Sequence, residues 1–209
     1  MSTPETDRRT ELREALNRGL ILDAAEEAFA ERGYDGASLR DIAARAGFSS
    51  AALYLFFENK QDLYERMLLR RGDGLFEAMI TAARPEDTPL RRLHAMADVA
   101  IAFYRKWPNF ARLVAMTQAT MHGSPLTTWQ DHPGAEVRSA FQRAMDFEAA
   151  VVAEGQLLHE IRRGDPHALA HLYSVLVNTY LTVGSTEGLT GGLTTDEIHE
   201  IIDSVLRQR

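Results

Sequence analysis

Cysteine is absent from the 209 residues, which excludes disulfide staples, thiolate nucleophiles and cysteine-ligated zinc. Lysine is nearly absent, occurring only as Lys60 and Lys106, and positive charge as a whole is scarce: 23 Lys and Arg stand against 30 Asp and Glu, a formal net charge of -7. No apolar run approaches the roughly 20 residues that a bilayer-spanning helix needs. The opening MSTPETDRRTEL carries no apolar core of an export signal, so the expected location is cytoplasmic, with no membrane partner. Strand-type alternation is missing throughout, which leaves an all-α chain. A nucleophile elbow, a Walker loop and a paired-carboxylate motif are missing as well, so neither enzymatic activity nor a cofactor is expected.

What is present concentrates between Ser38 and Lys60, SLRDIAARAGFSSAALYLFFENK. Leu39, Ile42, Ala43 and Ala46 recur at i, i+3, i+4 and i+7, one apolar stripe on a helix started by Ser38. Gly47 ends that helix, because glycine takes a left-handed backbone without steric cost. Ser49 is a natural N-cap for a second helix, in which Leu53 and Phe57 point back at the first while Ala51, Ala52, Tyr54 and Leu55 point away. This is the pattern of a helix-turn-helix over residues 38–57, which lays its second helix in the DNA major groove. Any two short helices joined by a glycine turn share the bare pattern, so the flanking sequence has to decide.

Upstream, Leu20, Ile21, Ala24, Ala25, Ala28 and Phe29 form one face of an amphipathic helix ended by Gly33. Downstream, Asn59 caps a helix beginning KQDLYERML. The ordered string of ILDAAEEAFAERGY, SLRDIAARAGFS, ALY followed by Phe57, and NKQDLY, from about Arg13 to about Leu69, resembles the N-terminal domain of the TetR family of transcriptional repressors. The resemblance implies a DNA-binding domain over 13–69, an effector-binding and dimerisation domain over 70–209, and a homodimer on a palindromic double-stranded operator. It places Arg40 where the family contacts a base or the backbone, and Tyr54 and Lys60 where it contacts phosphate. Ser49 and Ser50 supply a cap and a hydroxyl at the reader N-terminus, and Ser38, Ala51, Ala52, Leu55 and Phe56 complete the set. Two positions depart from the pattern. Ala51 and Ala52 stand where Gly-Thr is frequent, and Phe56 where His is frequent, so polar base contacts are lost. The acidic balance is a second difficulty, since a DNA-binding face needs cations. Arg8, Arg9, Arg13, Arg18, Arg40, Arg45 and Lys60 must be segregated from Asp23, Glu26, Glu27 and Glu31.

Beyond residue 70 longer helical patterns follow, punctuated by Pro, Gly and Thr. Thr88 with Pro89 opens a helix to about Arg105, Pro108 another to about Met121, Gly134 a third to about Glu154 and Asp165 with Pro166 a fourth. Thr195 is the expected cap of the last helix. HGSPLTTWQDHPG and GSTEGLTGGLTTDE read as loops. The helices at about 166–185 and 195–207 have broad apolar faces, and the resemblance implies that they pair with their mates in a four-helix dimer interface.

Between reader and dimer helices lies a set rich in aromatic and thioether side chains, with Tyr104, Trp129 and Phe147 among them. The resemblance implies an effector cavity here, for a small apolar or aromatic molecule. Its expected lining is His94, Phe103, Trp107, Phe110, Met116, Gln118, Met121, Phe141, Met145, Asn178 and Tyr180, of which His94, Gln118, Asn178 and Tyr180 are the possible polar anchors. Core packing is the alternative for each of these residues. A different chemistry is raised by His167 and His171, four apart as metal ligands on a helix can be, with His159 and Glu160 upstream. No matched second cluster accompanies them, so no metal site is expected and a metal-dependent helical enzyme is the remote alternative. The nearer alternative is a small-molecule-binding protein on the same scaffold with weak or lost DNA binding.

Overall fold

The computed structural model describes residues 4–121, 134–184 and 194–208. Trp129 and the side chains of Gln118, Met121 and Tyr180 lie outside the described residues. Nine helices are present among the described residues: α1 (Pro4–Gly36), α2 (Leu39–Arg45), α3 (Ser50–Leu53), α4 (Lys60–Ala83), α5 (Pro89–Lys106), α6 (Pro108–Met121), α7 (Ala135–Leu157), α8 (Pro166–Gly184) and α9 (Thr195–Leu206). They divide into two compact units, one of residues 1–70 and 116–133, the other of residues 71–115 and 134–209.

The first unit is built on the amphipathic half of α1. Ile21, Ala25 and Phe29 are buried with Ile42, Ala43, Leu53, Phe57, Leu63, Tyr64 and Met67. Phe29, Tyr34 and Tyr64 form an aromatic cluster with centroids 4.9 to 5.9 Å apart, two of the three pairs edge-on, the geometry that the ring quadrupole favours. The Tyr64 hydroxyl shares a buried hydrogen bond of 3.2 Å with Thr117. Helix α1 departs from expectation at its start but is interrupted at Gly33 as expected. It begins as early as Pro4, and at Gly33 its backbone turns left-handed (φ 70°) before a last short turn to Gly36. Leu20, expected on the buried face, is exposed along with Leu12 and Leu16. The apolar stripe outlasts the elements that pack on it, because burial starts at Ile21.

In the second unit α5 packs against α7, α8 and α9. Its start follows the sequence signal closely: Thr88 Oγ1 accepts from Arg91 N at 3.4 Å, with Pro89 in the first turn. Helix α8 starts with Asp165 accepting from His167 N at 2.9 Å. The cap of α9 is Thr194, one residue before the Thr195 expected. Thr194 and Glu197 form a reciprocal capping box, and only Thr194 has a Glu three residues on to complete it. The chain end is clasped back, with Arg162 N donating to Leu206 O at 2.8 Å and Gln208 N to Glu160 O at 2.9 Å. No helix among the described residues is long and apolar enough to cross a membrane.

Candidate nucleic-acid interface

Helix α2 is short, so its position depends on its ends and its clamps. Ser38 Oγ accepts from Asp41 N at 3.1 Å at the start. At the far end Gly47 adopts φ 80°, and Phe48 N reaches back to Ala43 O at 2.8 Å. Ser49 then caps α3 by accepting from Ala52 N at 3.1 Å. Helix α3 closes after Leu53, and turns carry the chain through Phe56. The reader is therefore a single helical turn prolonged by tight turns, shorter than the helix expected to run to Phe57. Phe56 N and Phe57 N both donate to Leu53 O, at 3.0 and 3.1 Å, which holds the following turns on the buried Leu53.

The outward surface of this element is uneven. Tyr54 is 57% and Leu55 82% exposed, Ala51, Ser49 and Arg40 are exposed, and Ser50 is half-buried. Ala52 is half-buried rather than outward. Phe56 is half-buried too, with its ring edge-on to Phe48 at 6.2 Å. These two residues brace the reader from behind. Exposing a side chain as apolar as Leu55 costs hydration free energy, and that exposure is the observation most in need of a partner.

Charge is where the sequence reading changes most. Arg45, expected among the phosphate-facing groups, forms a bidentate pair with Glu31 at 3.1 and 2.5 Å, with Glu27 at 3.9 Å. That hydrogen bond lowers the Glu31 carboxyl below its usual range and raises the guanidinium. Arg32 pairs with Asp41 at 2.7 Å. Two ion pairs thus tie α2 to α1, so the acidic residues of α1 consume cations. Arg18 lies over the Phe57 ring at 5.1 Å. Lys60 Nζ sits 4.6 Å over the Tyr34 ring and donates to Asp35 O at 3.2 Å, and its partial burial lowers its proton affinity. Arg40 makes no ion pair or side-chain hydrogen bond among the described residues. Its side chain is exposed to solvent.

Among the residues expected to meet an effector, Phe110 is buried between Phe103 at 6.0 Å and Tyr104 at 5.9 Å. Trp107 is covered by the Arg71 guanidinium 3.4 Å above its ring. Phe141, Met145 and Asn178 are half-buried, and Met116 is exposed. Phe147 meets Phe76 edge-on at 5.9 Å. His94 is turned to α9, where Nε2 lies 2.9 Å from Asp203 Oδ1 and the ring stacks on His199.

A group that the sequence reading missed is Glu148 on α7. It is 5% exposed, the Ser174 hydroxyl donates to it at 2.5 Å, and burial pushes its carboxyl up to about 8. The signal was available, since Glu148 falls on the helical stripe of Phe141, Met145 and Val152. Burial also raises the nearby Tyr104 and Tyr173 hydroxyls. His167 Nε2 pairs with Asp146 at 3.2 Å, and no group of three His, Asp or Glu side chains suited to a metal occurs among the described residues.

Comparison with known proteins bears on the first unit most directly. The family of bacterial regulatory proteins of the tetR type matches residues 21–67. The HTH-type transcriptional activator FasR of Mycolicibacterium smegmatis is 38% identical over 97 residues, which cover 46% of this chain and 44% of that protein. The HTH-type transcriptional repressor BepR of Brucella suis is 40% identical over 98 residues, covering 46% and 47%. The chain thus spans about half the length of the curated relatives it matches. Over nearly its full length the structure is similar to AibR, solved in complex with isovaleryl coenzyme A and operator DNA. The TM-score is 0.72 at 22% identity, covering 90% of this chain and 97% of that one, a likeness of fold.

Proposed function

The chain belongs to the TetR family of bacterial regulators, and from that membership we propose that it is a ligand-responsive DNA-binding regulator of transcription. The observation that carries the reading is the exposed face of Ser49, Ala51, Tyr54 and Leu55 beside the unpaired Arg40, held on a rigid aromatic core. In this reading Arg40 takes guanine O6 and N7 or a phosphate, Tyr54 and the Ser49 and Ser50 hydroxyls take phosphate, and Leu55 and Ala51 meet thymine methyls. Base-edge hydrogen bonds are few, so sequence-dependent DNA shape carries much of the selectivity.

The protein acts as a homodimer through α8 and α9. Leu172 and Val175 on α8, 41% and 40% exposed, support an apolar face there. The effector is a small apolar or aromatic molecule held among Phe103, Phe110, Phe141 and Met145. Isovaleryl coenzyme A, bound by AibR, has a short branched apolar tail of compatible chemistry. Effector binding shifts the paired readers out of register for two grooves, a coupling typically worth about 1 to 3 kcal/mol. The work is done on DNA in the cytoplasm, with no catalytic step. Of the two signs that its relatives carry, activator and repressor, repression is the reading taken here.

A second reading has its own support. Arg45 of α2 is spent on Glu31 of α1, and the chain is acidic, which suits a small-molecule-binding protein that has lost useful DNA affinity. Fluorescence anisotropy with the intergenic DNA beside its own gene separates the two. Binding at least 1,000-fold tighter than to scrambled DNA is the specific outcome expected of a regulator, roughly the lower end of such ratios. Equal affinity for both sequences would sink the regulator reading. A transcriptional reporter on the same DNA decides the sign.

A further inference from the structure

The C-terminal helix is joined to α5 by a symmetrical arrangement of four titratable side chains. His94 and Asp98 are one turn apart on α5, and His199 and Asp203 one turn apart on α9. They pair crosswise: His94 Nε2 lies 2.9 Å from Asp203 Oδ1 and His199 Nε2 lies 2.8 Å from Asp98 Oδ1. The two imidazoles lie face to face, 4.3 Å between centroids and 8° from parallel. All four side chains are partly buried.

This geometry fixes the chemistry. An ionised carboxylate only accepts, so each Nε2 must carry the hydrogen and each Nδ1 is left as the atom that takes up a proton. A first proton gives one imidazolium flanked by two carboxylates and stacked on a neutral ring. The second proton is different, because it sets two like charges face to face at 4.3 Å in a partly desolvated site. Asp203 is also poorly placed to compensate. Its Oδ2 is already engaged by Arg207, from Nη2 at 2.5 Å and Nε at 3.2 Å. Among the described residues, Asp203 and Asp98 are the carboxylates that act on His94. From α8 the buried Tyr173 donates to Leu93 O at 2.8 Å and is coupled electrostatically to Asp98 and to Glu148 of α7. Burial and the charge of His199 both hold His94 below the ordinary imidazole range.

We propose that the crossed His94–Asp203 and His199–Asp98 pairs are an acid-sensitive latch fastening α9 to α5, closed while at most one imidazole is charged and released when both are. The sign follows from proton binding. Below the free-histidine value the opened state holds more protons than the closed one, so acid favours opening, and the latch is fully closed above it.

The test is hydrogen exchange on the full chain from pH 7.5 to 5.0, with protection factors corrected for intrinsic exchange, alongside NMR titration of the imidazole carbons. Protection of Ile198 to Leu206 is expected to fall about three- to tenfold on acidification, because the opened state takes up a proton that the closed state resists. Protection of α7 should stay level. His199→Gln keeps a hydrogen bond to Asp98 but cannot charge, and should abolish the pH dependence of α9 protection. Three results would overturn the latch: level protection of α9 in the natural chain, unchanged pH dependence in His199→Gln, or simultaneous loss across α5, α7, α8 and α9. The wild-type profile decides the matter even if the variant fails to fold.

Discussion

Arg40 shows how much a single side chain can carry when its neighbours are already committed. Arg45 is tied to Glu31 of α1 and Arg32 to Asp41 of α2, whereas Arg40 has no ion-pair partner among the described residues, which leaves it for the DNA contact proposed above. Arg40→Ala is expected to weaken specific binding by about 1 to 3 kcal/mol and to relax preference at one base pair. Equal weakening on specific and scrambled duplexes would make it a backbone contact. Glu148 makes a prediction of the opposite kind, about stability. Its carboxyl, pushed up to about 8 by burial, keeps its proton in the folded chain from roughly pH 4.5 upwards, where the unfolded chain has lost it. Stability from this group is therefore full below that range and is lost as pH rises towards 8. Thermal melts should find the natural chain losing about 2 to 4 kcal/mol more than Glu148→Gln between pH 5 and 8. Parallel pH profiles for the two proteins would remove Glu148 as the cause. The outward direction of Tyr54 and Leu55 was legible in the sequence, because a helix face can be read from spacing, whereas a contact role for Arg40 came only from the family resemblance. The pairing that neutralises Arg45 was not, since it joins residues 14 apart across two helices whose packing no periodicity reports.

At the scale of elements, most boundaries were written in local chemistry. Ser38, Ser49, Asn59 and Thr88 all cap as their side chains dictate, and Pro89, Pro108 and Pro166 each open a helix. What local chemistry did not give was length. The stripe that promised a reader running to Phe57 is satisfied by a four-residue helix, because Leu53 and Phe57 are buried just as well through turns. The early start of α1 is the converse, a helix continued by propensity where no core requires it. Gly47 gives the sharpest test of the reader's geometry. Its φ of 80° is left-handed, yet an added Cβ would meet nothing within 4 Å, so a substitution suffers backbone strain alone. Gly47→Ala is expected to cost the first unit about 1 to 2 kcal/mol, and Gly47→Asn less, because Asn tolerates this conformation. Denaturant melts check the order. Equal losses for the two would show that space, and not backbone, is limiting.

For the whole molecule the governing quantity is charge. An acidic chain that binds DNA must do so with few cations, and the structure accounts for the shortage, since α1 takes up Arg45 and, through Asp23 at 2.6 Å, Arg70, while Asp41 of α2 takes up Arg32. The sequence reading could count the charges but could not tell a spent arginine from a free one. Arg8, Arg13 and Arg40 remain, together with whatever reach Lys60 keeps beyond Tyr34 and Asp35. About three to four phosphate neutralisations per protomer follow, for a salt slope of log affinity of about -3 to -4 per protomer. Titrations by anisotropy between 50 and 200 mM salt measure it directly. Lys60→Ala separates two roles for the ammonium. If the ammonium reaches phosphate from its seat on Tyr34, the slope flattens by about one unit and all duplexes weaken alike. If its whole role is to hold the end of α1 against the start of α4, the slope stays put and the melting temperature falls instead. A slope much steeper than -4 per protomer would mean that DNA competes successfully with Glu31 and Asp41 for their arginines, so that α2 exchanges its clamps on α1 for phosphate on binding.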